Sequence, residues 1–229
     1  MSDRTLEGKH LVITGGAGAL GRAVVGAALD RGARVTVLDR SQTALGDGVR
    51  CVRVDLADAA GIQAAWAGLE PVDVLCALAG GFAMGASAYA ADGDEWTAMM
   101  QANVVSLRHV LMAAVPGMKA RDAGRIITVG ALSAQQGKAS MSAYTASKAV
   151  VMNLTESLAQ ELADTGVRVN AILPSIIDTP SNRQAMPDAN WHEWVAPKDM
   201  AEVICFLASP QSNAIHGALI PLRGFQRRA

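Results

Sequence analysis

The chain has 229 residues, 51% hydrophobic and 18% charged, with a formal net charge of −1 and a sequence pI near 6.4. That is enough apolar chain for one domain with a sizeable core, and the near-neutral balance offers no basic face for nucleic acid. The lead from Met1 to Lys9 is polar and runs into a strand without the apolar run of a signal peptide. No apolar stretch reads as long enough to span a bilayer, so no membrane partner is expected. Cys51, Cys76 and Cys205 lack metal-ligand spacing. They read as reduced thiols of a cytoplasmic protein, and no metal is expected.

Apolar runs alternate with helical patterns along the chain. His10–Thr14 reads as a strand, Leu20–Arg31 as a helix stopped by Gly32, and Arg34–Leu38 as a second strand. Arg50–Val54 is a third strand, Ala59–Leu69 a helix, and Val72–Ala79 a nearly unbroken apolar fourth strand. A long helical region begins near Glu95 and is expected to break or kink near Pro116 and Gly117, because proline removes a helix hydrogen bond. Arg125–Val129, the helix Ser142–Asp164, and Val167–Leu173 follow. Residues 174–196 show no period and read as a loop or lid, with the lid proper at about 180–196. A helix near Lys198–Ala208 and a last strand, His216–Leu222, close the chain. Continuously apolar strands alternating with helices predict a single-domain, doubly wound α/β (Rossmann) fold: a mostly parallel, seven-stranded sheet covered on both faces. Ligands bind such sheets at the carboxyl ends of the strands, where the winding reverses.

The first strand-to-helix turn is Thr14–Gly21, TGGAGALG. Gly15, Gly16 and Gly18 suit a tight turn around Ala17, Ala19 and Leu20, and a side chain at Gly21 would block close packing in the first helical turn. Amides at that helix start can cradle a pyrophosphate. Asp39, at the end of the second strand, stands where a carboxylate suits the ribose hydroxyls of NAD, although it also reads as a plain turn residue. Arg40 offers a guanidinium to the 2′-phosphate of NADP. NAD(H) is favoured, with NADP(H) the alternative, because the Asp39 carboxylate would repel that phosphate. Asp55, followed by Leu56, reads equally as an adenine contact or a helix cap.

The second piece of chemistry is Tyr144 and Lys148 on the Ser142 helix. Four residues apart, they share a helix face one turn apart. Such spacing occurs by chance, but a neighbouring ammonium favours phenolate over phenol and would let Tyr144 trade a proton near neutral pH.

The glycine-rich turn, Asp39, the strand ending in Ala79-Gly80, Asn103 and Tyr144-x-x-x-Lys148 together resemble the short-chain dehydrogenase/reductase family across nearly the whole chain. The resemblance implies an NAD(P)(H)-dependent oxidoreductase acting on a small organic substrate. Tyr144 would be the proton donor or acceptor, Lys148 would lower its pKa and hold the nicotinamide ribose, and Asn103 would hold a relay water. It further implies that Ala79, Gly80 and Gly81 border the cofactor, and that Pro174, Ile177 and Thr179 line its nicotinamide end. A homo-oligomer, dimer or tetramer, formed through helices near 95–115 and 142–163 is also implied.

Several positions depart from the family pattern. The family carries a Ser that holds the substrate carbonyl; here that position is Ala131, whose methyl donates no hydrogen bond. Ser133 could take its place only with a different local loop. Ala19, the pair Ala77-Leu78 and Ser175 also differ from the usual residues. GGAGALG, Ala79-Gly80-Gly81, Ala131 and the segment Leu173–Trp191 more narrowly resemble the quinonoid dihydropteridine reductase branch, which also lacks the Ser. Trp191, Trp194, Phe82, Met84 and Met186 are candidate pocket walls, and Ser140, Met141 and the loop Gly81–Ala88 candidate borders. Loss of the Ser also fits a non-catalytic NAD(H)-binding protein, against which the retained Tyr144 and Lys148 stand.

Overall fold

The computed structural model describes residues 4–41, 43–85, 87–90 and 93–224. The first three residues of the polar lead and Ala86 of the candidate border loop lie outside the described residues. Seven strands form one sheet: β1 (His10–Thr14), β2 (Arg34–Asp39), β3 (Val49–Arg53), β4 (Val74–Ala77), β5 (Gly124–Val129), β6 (Val167–Pro174) and β7 (Leu219–Leu222). Their order is β3-β2-β1-β4-β5-β6-β7, and every neighbouring pair is parallel. The winding therefore reverses between β1 and β4, the expected place for a ligand crevice.

Strand alternation splits the core between two faces. Leu11 and Ile13 of β1 pack with α1 (Ala19–Asp30) and α7 (Pro197–Ala208), through Val24, Ala28, Met200 and Ile204. Val12, between them in the sequence, faces the other way, onto Ile62 of α2 (Ala59–Ala67), Val110 of α4 (Ser106–Ala120) and Val151 of α5 (Ser142–Glu161). All five residues of β1 and all four of β4 are buried, as strands covered on both faces must be.

The long helical region differs from its expectation. It comprises α3 (Gly93–Met100), one π-helical turn (Gln101–Val105) and α4, and α4 runs through Pro116 to Ala120. Met112, whose carbonyl loses its partner to Pro116, lies on the exposed side, 58% accessible, so water can replace the missing donor. The hydrogen-bond ladder is disturbed instead at the π turn, where Ser106 Oγ donates to the Ala102 carbonyl at 2.6 Å. Taken together, Gly93–Ala120 is 28 residues long and holds an 18-residue window of mean hydropathy 1.2, so by length and composition alone it could cross a bilayer. It packs against α2 and α5 as a layer of the domain.

The last strand is shorter than expected because the His216 side chain is used at its entrance. His216 Nδ1 accepts from Val169 N–H at 3.2 Å, and its Nε2 lies 2.8 Å from the Ala159 carbonyl. The segment expected as a loop or lid contains a short helix, α6 (Pro180–Ala185), and a 3-10 turn, Trp191–Glu193.

Candidate functional site

A groove of about 870 Å³ opens at the carboxyl ends of β1 to β4, where the winding reverses. The turn after β1 forms its floor: Gly15, Ala17, Gly18, Ala19, Leu20 and Gly21 all line it. Gly15 has φ +69°, a left-handed conformation, and a Cβ there would sit 2.8 Å from Ala79 Cα. Gly16 is not at the groove surface; a Cβ there would strike the Val37 side chain at 2.6 Å. Gly18 caps α1 with backbone only, and no acidic residue occupies the first turn, so the first helical amides point at the groove without an internal anion.

Asp39 and Arg40 line the far end of the groove. Asp39 is bound on both oxygens: Oδ2 accepts from Ala17 N–H at 3.1 Å, and Oδ1 from Ser41 N–H at 2.9 Å and Ser41 Oγ at 3.0 Å. Partial burial works to raise its pKa, but these hydrogen bonds more than offset it and hold the carboxyl below its usual value. It is thus both a turn residue and a groove residue, because the same carboxylate reaches across to the glycine turn. Asp55 and Leu56 also line the groove. Asp55 Oδ1 accepts from Ala57 N–H at 2.9 Å, while the cap of α2 is Asp58, which accepts from Ala60 N–H at 3.1 Å.

Ala79 and Gly80 line the near wall, and Ile177 and Thr179 face them from the segment after β6. Pro174 is buried at the end of β6 and does not reach the groove surface. Behind the near wall, a small adjoining cavity is lined by Thr14, Asn103 and Lys148 and shares Leu56, Ala79 and Ser106 with the groove. Gly80 separates the two: a Cβ there would come within 2.6 Å of Asn103 Oδ1 and 3.2 Å of Lys148 Nζ.

Asn103 lies on the π turn, and its side chain is committed to backbone and helix. Oδ1 accepts from Gly81 N–H at 2.9 Å, while Nδ2 donates to the Gly81 carbonyl at 3.1 Å and to Ser147 Oγ at 2.9 Å. Ser147, fully buried, donates in turn to the Tyr144 carbonyl at 2.8 Å. Asn103 thereby fixes the loop after β4 to the helix that carries Tyr144. Sequence reasoning missed Ser147; a polar residue one position before Lys148, on the buried side of the helix, was the available signal.

Tyr144 and Lys148 stand on one helix as expected, but the ammonium does not serve the phenol. Lys148 Nζ donates to the Val129 carbonyl at 2.8 Å, and burial pushes its pKa down to about 8. Burial likewise pushes Tyr144 up to about 12, so the expected titration near neutrality is absent from this arrangement. The two shifts have opposite consequences for stability. Between pH 8 and 10.5 the unfolded chain holds a proton on Lys148 that the folded chain has lost, so stability rises with pH. From pH 10 to 12 the folded chain keeps the Tyr144 proton that the unfolded chain releases, and stability falls again. The Lys148 contribution, on the order of 1–3 kcal/mol, is expected to vanish in Lys148→Met. Chemical denaturation of both proteins from pH 7.5 to 9.5 measures it, and parallel curves would exclude Lys148 as its source.

The Tyr144 ring lies in an apolar setting. Phe82, 61% exposed, meets it edge-on with centroids 4.9 Å apart. The Phe82 loop is pinned at Gly81 by Asn103 and at Gly85, whose N–H donates to the Ser140 carbonyl at 2.9 Å. Ser140 is left-handed, φ +60°, just ahead of α5. Ala131 is 2% exposed and clusters with Ala134, Met152, Leu173 and the partly buried Tyr144 and Leu132. Ser133 is half-buried on the 3-10 turn Leu132–Gln135. Trp191 is engaged within its own segment rather than presented to a pocket: its Nε1–H donates to the Met186 carbonyl at 3.0 Å and Arg183 lies over its ring. Trp194 is buried beside it, with ring centroids 6.5 Å apart.

The family model for short chain dehydrogenase matches residues 9–190, from the start of β1 through the glycine turn, Asn103, Tyr144 and Lys148. The chain belongs to this family. It is by membership an oxidoreductase that works with a nicotinamide dinucleotide. It is 32% identical to 2-(S)-hydroxypropyl-CoM dehydrogenase 3 of Xanthobacter autotrophicus, over 98% of both chains. The fold matches the solved 3-ketoacyl-(acyl-carrier-protein) reductase of Brucella melitensis complexed with NADH, at TM-score 0.84 and 26% identity over 94% of this chain and 97% of that one. It also matches a Beutenbergia cavernae protein, assigned as an NAD(P)-dependent gluconate 5-dehydrogenase and solved with NADP, at TM-score 0.88 and 29% identity over 96% of both chains.

Proposed function

We propose that the groove holds the dinucleotide and that Tyr144 moves the proton in a hydride-transfer reaction on a small organic substrate. The observation that supports this best is that Gly80 of the groove wall leads directly into Gly81, which Asn103 ties through Ser147 to the backbone carbonyl of Tyr144. The uncapped start of α1, with Ala19, Leu20 and Gly21 at the groove surface, would take the pyrophosphate. Asp39, Arg40, Asp55 and Leu56 would meet the adenosine half, and Ala79, Gly80, Ile177 and Thr179 the nicotinamide half; Gly81 and Pro174 lie off the groove surface, and Lys148 stands behind Gly80 in the adjoining cavity. When bound, the nicotinamide supplies or accepts the hydride. Tyr144 Oη gives up or takes the proton, on a partly buried ring that packs against Phe82 and the Ala131 cluster.

NAD(H) is the proposed cofactor, because the ionised Asp39 opposes a second phosphate beside it. Asp39→Ala is expected to narrow the preference for NADH over NADPH severalfold and to loosen the glycine turn by freeing the Ala17 N–H. Steady-state kinetics with both cofactors measures the ratio, and an unchanged ratio would move the selection to other residues. The free thiols Cys51, Cys76 and Cys205 fit a cytoplasmic setting, and the exposed Met112 on α4 fits pairing of that helix in a dimer or tetramer.

A second reading is favoured by Ala131. A substrate oxygen at Tyr144 would find a methyl in an apolar cluster where the family places a hydroxyl, which suits an acceptor already electron-poor, such as a quinonoid dihydropterin. The deciding experiment follows NADH oxidation with quinonoid dihydropterin beside ketones, aldehydes and quinones. Turnover of the pterin alone selects the second reading, and turnover of ketones without the pterin selects the broader one. Cofactor binding without turnover of any would leave a non-catalytic NAD(H)-binding protein.

A further inference from the structure

The segment between β6 and α7 contains no element longer than six residues, yet its polar groups are tied to one another. Its base is closed by a parallel bridge, in which Asp178 N–H donates to the Val195 carbonyl and Val195 N–H to the Ile176 carbonyl, both at 2.9 Å. Above the base, Thr179 Oγ1 accepts from Asn182 N–H at 3.1 Å and caps α6, while Asn182 Nδ2 donates to the Ile177 carbonyl at 2.8 Å. The outer turn is held by Trp191 Nε1–H on the Met186 carbonyl.

Arg183 joins the base to this outer turn. Its Nε and Nη2 donate to the two oxygens of Asp178 at 2.6 and 2.7 Å, and its guanidinium sits 4.7 Å from the Trp191 ring centroid. A planar fork suits both contacts at once: it makes two hydrogen bonds to one carboxylate while its cationic carbon lies over the face of the indole. Asp178 is flanked in sequence by Ile177 and Thr179, the two residues of this segment that line the groove.

Resting on the reading of that groove as the dinucleotide site, we infer that Arg183 is a positioning residue: by clamping Asp178 to Trp191 it holds Ile177 and Thr179 in the groove wall before the cofactor arrives. Arg183 touches neither cofactor nor substrate in this role. It acts by raising the fraction of molecules whose wall is already formed, so its loss appears in affinity more than in chemistry. Exposed ion pairs contribute little to global stability, so the fold is expected to survive without the clamp.

The test compares wild type, Arg183→Gln, Asp178→Asn and the double variant. Each is titrated with NADH by protein fluorescence, assayed for KM and kcat, and digested briefly with a protease whose cuts in residues 175–196 are mapped. Both single variants are expected to bind NADH about tenfold more weakly, the result of a binding-competent fraction reduced to about a tenth. The double variant should be no weaker than either single, because both break one clamp. KM for NADH rises with kcat nearly kept, the segment is cut faster, and the thermal midpoint barely moves. Arg183→Lys, which keeps the charge without the fork, should behave like Arg183→Gln. Wild-type affinity in Arg183→Gln or Arg183→Lys, or losses that multiply in the double variant, would overturn the clamp. If wild type itself binds no NADH, the cofactor reading fails instead, and equal cutting rates in wild type and Arg183→Gln would then dispose of the clamp as well.

Discussion

Tyr144→Phe is expected to lower turnover by roughly 10²–10⁴-fold, the usual contribution of a positioned proton donor, while NADH affinity stays close to that of wild type. The substitution removes one oxygen and keeps the ring against Phe82 and within the Ala131 cluster, so the local packing has no reason to change. Nor does the Tyr144 side chain line the groove proposed for the dinucleotide. Its phenol, pushed up to about 12 by burial, is protonated at neutral pH and therefore set to donate, the role required in the reductive direction. Stopped-flow assays with the best substrate of the panel, beside a fluorescence titration with NADH, measure the two quantities separately. Turnover within tenfold of wild type would remove Tyr144 from proton transfer. Parallel loss of affinity would make it a cofactor-holding residue instead.

Gly21→Ala is the second substitution with a large expected effect, and it acts on backbone. A Cβ at this position would lie 2.3 Å from the Gly15 carbonyl oxygen and 2.5 Å from Gly16 Cα. These are main-chain atoms of the turn that α1 grows from, so no side chain can swing aside. The turn must open, taking with it the Gly15 N–H bond to the Leu38 carbonyl and the approach of Ala17 to Asp39. Overpacking of this kind costs about 1–3 kcal/mol, and cofactor binding is expected to fall by more than the stability does, because the displaced amides are those proposed to take the pyrophosphate. Denaturation midpoints and an NADH titration on the same protein compare the two losses. Wild-type affinity in Gly21→Ala would mean that the turn does not hold the dinucleotide.

The strands were readable because both faces of the sheet are covered. Runs such as Leu11-Val12-Ile13 and Val74-Leu75-Cys76 are apolar without alternation, and turn glycines mark their ends. The glycine turn, Asp39 and the shared face of Tyr144 and Lys148 were readable for a related reason: each is set by local geometry within a few residues or at a strand end. Pro116 misled because its cost depends on what faces the freed carbonyl, and an exposed Met112 makes that cost small. The π turn carries no composition signal of its own; it arises where Asn103 is drawn toward Gly81 and Ser147, partners 22 and 44 residues away.

By itself, then, the sequence determined the alternation of strand and helix, the parallel sheet that follows from it, and the residue types gathered at the strand ends, since these depend on periodicity and on backbone geometry. The tertiary structure alone decided what each side chain does there. Lys148 turns to the Val129 carbonyl rather than to Tyr144, Asn103 spends its amide on a loop and a helix, and Trp191 lies under the Arg183 guanidinium. For Lys148 and Asn103, hydrogen bonds and burial between segments distant in the chain fix those choices, and burial pushes the Lys148 and Tyr144 pKa values in opposite directions.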